Sequence, residues 1–168
     1  MSITQDVNAI SVAQTRILKC PGVTLDLTPA TTGRTLYTIT GDPIIVFNIY
    51  GVCSTAIGGG AARPFLQLTP IAAYGAAALP ICALHATIAA LNAGDIVCMT
   101  GVAIGVLTTQ AVTGIHSTNE ATGLWGGDTM TMVPGVIQIV NTVSAVSGII
   151  DWYLDYQPCS PACRVTVR

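Results

Sequence analysis

Apolar and polar positions along this chain alternate more often than they recur at helical spacing. Thr35-Leu-Tyr-Thr-Ile-Thr40 is rich in β-branched and aromatic residues, a composition that suits a pleated, half-buried surface. Gly41-Asp42-Pro43 turns the chain, and Ile44-Ile-Val-Phe-Asn-Ile-Tyr50 resumes a strand. The nearly continuous apolarity of that second strand, interrupted at Asn48, predicts burial on both faces. In the last third, Val136–Thr142 forms one expected strand and Gly148–Tyr156 the next. Because strand side chains alternate, Ile150, Trp152, Leu154 and Tyr156 should share one face, and Ile149, Asp151, Tyr153 and Asp155 the other. Pro158 and Pro161 end that strand.

The middle is less regular. Ala72–Ala78 holds helix-forming alanines broken by Gly75, Asn92–Asp95 has turn chemistry, and Ile96–Met99 follows as a short strand. Gly101, Gly105 and Gly114 interleave with Val, Ile and Thr, which disfavours long helices. Gly58-Gly59-Gly60 and Glu120–Asp128 are loops. Short strands divided by Gly and Pro predict a mainly β fold: an antiparallel sandwich, jelly roll or barrel.

The first thirty residues lack a strong period. Val7, Ile10, Val12, Ile17 and Leu18 are scattered, and Pro21, Gly22 and Pro29 punctuate the segment. We expect residues 1–30 to be an N-terminal arm, or a first edge strand, ordered by packing on something else, with residues 31–168 as a β-sandwich-like domain. Ordering costs roughly 1–2 kcal/mol per residue, which local contacts alone do not offset. The scattered apolar residues are therefore candidate contacts to a neighbouring subunit, and removal of the arm should leave the domain folded.

Composition sharpens this picture. Hydrophobic residues make up 51% of the 168 positions and charged residues only 8%, against ~25% in ordinary domains. So few charges leave either a surface of Thr, Ser, Asn and Gly or one that is covered in the working state. Self-association or docking on a large partner is expected.

Net charge is −2, and no basic residue occurs between Arg63 and Arg164. Nucleic-acid binding needs a positive stripe to displace counterions, so it is not expected. Arg164 and Arg168, at the end of the chain, are candidate contacts to another subunit. The most apolar stretch, Ile71–Leu91, contains Pro80 and His85 and lacks flanking Lys or Arg anchors. It makes a poor membrane span, and no signal peptide is visible. The six cysteines are expected to be reduced and mostly buried, with Cys159 and Cys163 the most accessible.

Most catalytic devices fail on inventory. The chain has one Lys, one Glu and two His, and it lacks nucleophile-elbow, zinc-protease and phosphate-loop patterns. His85 lies among alanines and His116 in a polar stretch. Asp151 and Asp155 share a strand face but sit about 13 Å apart along it, too far for one small site. No enzyme activity, cofactor or metal is expected.

Thr35-Leu-Tyr-Thr-Ile-Thr-Gly41, Ile49-Tyr-Gly-Val52 and Gly148-Ile-Ile-Asp-Trp-Tyr-Leu-Asp-Tyr-Gln-Pro158 with its Ser/Pro tail resemble segments of small tailed-phage virion proteins encoded near the major capsid protein. The resemblance implies a head decoration or cement protein on the capsid exterior, assembled in the bacterial cytoplasm. It would bind the major capsid protein and sister subunits, a trimer suiting sites where three neighbours meet. The Ala/Gly-rich middle and the six cysteines depart from the pattern. Alternatives are a tail or head–tail connector protein, or a β-sandwich module binding carbohydrate or a host surface through Trp125, Trp152 and the tyrosines.

Overall fold

A computed structural model describes residues 14–24, 33–58, 64–75, 77–82, 92–98, 115–117, 129–141 and 147–168. The strands are β1 Arg16–Thr24, β2 Arg34–Thr40, β3 Ile44–Gly58, β4 Pro64–Pro70, β5 Leu79–Pro80 and β6 Ile96–Cys98. They continue with β7 Ile115–Ser117, β8 Met130–Met132, β9 Gly135–Asn141, β10 Ser147–Pro158 and β11 Arg164–Val167. A six-stranded sheet runs β1-β10-β3-β8-β7 with β6 also paired to β3, and a five-stranded sheet runs β11-β2-β9-β4-β5. All pairings are antiparallel. Of the three architectures expected, the chain adopts the sandwich.

The core lies between the sheets. Ile44, Ile49, Ile150, Trp152 and Leu154 from one sheet pack into a single cluster with Leu36, Ile39, Leu68, Ile137 and Ile139 from the other. β10 alternates as its sequence requires: Ile150, Trp152, Leu154 and Tyr156 are buried, while Asp151, Tyr153 and Asp155 are half-buried on the outside. β3 corrects its expectation. Ile44, Val46 and Ile49 are buried, but Ile45, Phe47 and Tyr50 stay half-buried. The partner sheet lies against the inward side only, so apolar residues on the other side are covered no further than their neighbours on that face allow.

Of the two readings offered for the first thirty residues, the described part takes the edge strand and not the docked arm. Val7, Ile10 and Val12 lie outside the described residues, but Arg16–Thr24 is an edge strand paired in register with β10, from Arg16 opposite Tyr156 to Thr24 opposite Ile149. Cys20 and Val23 are fully buried in the chain's own core, and Leu18 packs against it. Sparse apolar residues suffice here because a strand at a sheet edge needs only one side chain in two facing inward. Of the described candidates, only Ile17 points away, with 67% of its surface exposed.

A seam joins β1 to the other sheet. The Tyr37 hydroxyl donates to the Leu18 carbonyl at 3.1 Å, Arg168 Nη2 donates to the Gly22 carbonyl at 3.2 Å, and Arg34 Nη1 donates to Thr24 Oγ1. At one end of the sandwich, the Gly41-Asp42-Pro43 turn is held by the link between β10 and β11. Cys159 N donates to Pro43 O at 3.1 Å, and Ser160 Oγ donates to Asp42 Oδ2. Gly41 has φ of 78°, and a Cβ there would collide with the Ala162 carbonyl, so the turn requires glycine twice over.

Candidate interaction surface

The outward face of the six-stranded sheet carries most of the chemistry in the described part of the chain. Register sets its rows. Lys19 on β1 stands opposite Tyr153 on β10, and Tyr153 opposite Tyr50 on β3. The two tyrosine rings stack with centroids 4.9 Å apart and planes 7° from parallel. That spacing matches the distance between neighbouring strands, so the rings stand on edge, side by side. Lys19 Nζ covers the Tyr153 ring at 5.5 Å from its centroid, within reach of a cation–π attraction.

Lys19 also forms an ion pair with Asp151, Nζ to Oδ2 at 2.8 Å. Asp151 accepts a second hydrogen bond from the Gly22 N–H at 2.8 Å. Gly22 has φ of 68° and lies in the irregular step between Cys20 and Val23, which turns its N–H towards β10. The Lys19 hydrogen bond first, then that of Gly22, holds the Asp151 carboxyl below the usual carboxylate range. The same bond to Asp151, with a further one to Tyr153, pushes the Lys19 ammonium up.

The adjacent row contrasts with this. Ile17 stands opposite Asp155, and Asp155 opposite Asn48. Asp155 Oδ1 and Asn48 Oδ1 are both closed off from solvent with no hydrogen-bond partner among the described residues. Desolvation pushes the Asp155 carboxyl up, with no cation to oppose it. Leaving such an acceptor unpaired costs ~1–3 kcal/mol. Ile96, on β6 at the other side of the face, is 61% exposed.

Register therefore places Asp151 and Asp155 on one face, as the spacing required, but in different surroundings. Sequence reasoning missed Lys19 and Asn48, and named Tyr50 only among all the tyrosines. Its signals were weak: one lysine in the chain, and aromatic or amide residues at outward positions of strands. Arg164, exposed, donates from Nη1 to the Pro161 and Cys163 carbonyls at 2.6 and 2.9 Å. With Arg168 bound to Gly22, both terminal arginines hold hydrogen bonds within their own chain.

His85 and Trp125 lie outside the described residues, as does the side chain of His116. No group of three or more His, Cys, Asp or Glu capable of holding a metal ion occurs among the described residues. No helix among them is long and apolar enough to cross a membrane. Cys20, Cys53, Cys82, Cys159 and Cys163 are free thiols. Burial is the main cause pushing each of them above the ordinary thiol range, which disfavours the nucleophilic thiolate. Accessibility differs from expectation at Cys163, only 2% exposed, because it closes the turn beneath Gly41; Cys159 is exposed.

No protein-family model matches this chain, and neither the curated proteins nor the solved structures searched include one similar to it.

Proposed function

We propose that this chain is a structural component of a many-copy assembly, a decoration or cement protein on the exterior of a tailed-phage head. Its partners would be the major capsid protein and sister copies of itself, joined in the bacterial cytoplasm during assembly. One observation carries the structural role: a chain with 8% charged residues presents a sheet face bearing exposed Ile17 and Ile96. A face of that kind gains from being covered. The particular assembly rests on the resemblance of Thr35–Gly41, Ile49–Val52 and Gly148–Pro158.

The carbohydrate-module reading loses support at four of its aromatic residues. Trp152 is 3% exposed and part of the core, Tyr37 and Tyr156 are buried, and Tyr153 has Tyr50 beside it and Lys19 over its ring. A sugar would find no open ring face on Tyr153. The decisive experiment is quantitative mass spectrometry of purified phage particles. Recovery in fixed, high ratio to the major capsid protein supports the cement role. A handful of copies per particle would move the chain to the tail or connector, and absence from particles would end the virion reading.

A further inference from the structure

Four residues on the outward face of the six-stranded sheet form a small grid. Ile17 and Asp155 are opposite one another in one row, and Lys19 and Tyr153 in the next row on that face. One diagonal joins an ammonium to a carboxylate that no cation among the described residues serves, since Lys19 is turned to Asp151 on its other side. The other diagonal joins an exposed aliphatic side chain to an aromatic ring. We propose that this face is the contact between two copies of the chain, with Lys19 of each copy facing Asp155 of the other.

Geometry and charge agree on a two-fold arrangement. With the axis lying in the plane of contact along the Ile17–Tyr153 diagonal, Lys19 and Asp155 exchange places across it. Each copy then contributes one ammonium and receives one, a self-complementary pattern of the kind that a two-fold interface requires. Ile17 and Tyr153, on the axis, meet their own equivalents and exclude water from the two charge pairs. Lys19 keeps Asp151 as it gains Asp155, making a three-membered network on each side.

The contact area is modest. β10 has twelve residues, roughly 40 Å of strand, and four strand positions at about 4.8 Å give roughly 20 Å of width. An axis on that diagonal makes the strands of the two copies cross at roughly 70°, so the faces overlap over roughly 400 Å² per copy, the size of a weak, reversible contact. A self-complementary face makes a pair, so this contact is distinct from the three-fold ring suggested by capsomer geometry. The inference deepens the assembly role proposed above and rests on it for its biological setting only.

Sedimentation of the full chain tests the contact, comparing wild type with Ile17→Asp and Asp155→Lys. Thr166→Asp, exposed on the opposite sheet, is the control. Circular dichroism verifies the fold of each. The expected result is a wild-type dimer, with each face variant raising the dissociation constant by at least roughly tenfold and the control within about twofold. As an independent arm, Ile17→Cys treated with copper phenanthroline should form an interchain disulfide well above the wild-type background, and Thr166→Cys should not. A wild type that stays monomeric overturns the proposal. So does a wild-type oligomer that Ile17→Asp leaves intact and Ile17→Cys fails to cross-link; in that case the assembly role survives through another surface, and particle stoichiometry remains its own test.

Discussion

The two outward faces of this sandwich are built from the same strand geometry but satisfy their polar groups differently. On the five-stranded sheet, Thr166, Thr38, Val136 and Thr69 lie in one row across four strands, and Thr35, Gln138 and Gln67 in another. Its strands contain no acidic residue. Gln138 Oε1 accepts from Gln67 Nε2 at 3.0 Å and from Thr69 Oγ1 at 3.2 Å. Such a face closes part of its hydrogen bonding within itself, and its remaining neutral hydroxyls are readily served by water. The six-stranded sheet instead carries Lys19, Asp151 and Asp155, and one of its carboxylates is left over. A face can be polar and complete, or partly apolar and incomplete; only the second has something to gain from a partner.

The largest effect expected is on β1, which supplies two corners of the incomplete face and part of the core. Deleting Met1–Thr24 removes buried Cys20 and Val23, with ~1.5–3 kcal/mol lost for a fully buried aliphatic side chain, and bares the edge of β10. Against a total stability of ~5–15 kcal/mol, cooperative thermal melting should disappear. This is the opposite of what an arm docked on a neighbour would give. A truncated chain that melts as sharply as the parent would restore the arm.

Next in size is the contrast between the two aspartates. Asp151→Ala removes the acceptor of the Gly22 N–H and the partner of Lys19, and should lower the melting temperature by roughly 2–4 °C. Asp155→Ala removes a carboxylate with no cation and one unpaired oxygen, and should leave the melting temperature unchanged or raise it. Their pH behaviour should also be opposite. The folded-state pKa of Asp151 is depressed, so its contribution is present above the unfolded value and is lost as pH falls through the folded one. That of Asp155 is raised, so its contribution favours the fold below the unfolded value and is lost as pH rises through the folded one. Melting the two variants and the parent between about pH 2 and 7 should show slopes relative to the parent of opposite sign. Slopes of the same sign would mean that the two carboxylates share one environment.

The smallest effect belongs to the complete face. Gln138→Leu leaves Gln67 and Thr69 without their shared acceptor, but all three positions are half-buried and water can replace it. Stability measured by denaturant unfolding should fall by no more than about 1 kcal/mol, with self-association unaltered. A large drop in association would put the contact on the wrong sheet.

Much of the sandwich was legible in the chain because alternation is a local property. The inward and outward sets of β10 follow from residues 148–156 alone, and the Gly41–Pro43 turn from its own three residues. β1 was not legible. Its period is weak, and what makes it a strand is β10, with Gly22 and Asp151 separated by 129 positions. β3 misled for a related reason: its sequence is apolar on both sides, but only the tertiary arrangement decides which side meets a second sheet.

The candidate surface divides in the same way. Sequence determined that Asp151 and Asp155 share a face, because four residues along a strand return a side chain to the same side. It also determined that charge is scarce enough to leave few partners available. Tertiary structure decided which aspartate receives the chain's one lysine, since that depends on the register of β1 against β10 and on the turned Gly22 N–H. It also placed Trp152 inside and stood Tyr50 beside Tyr153. Those outcomes are pairings between strands distant in sequence, and no local pattern encodes a pairing whose two members are a hundred residues apart.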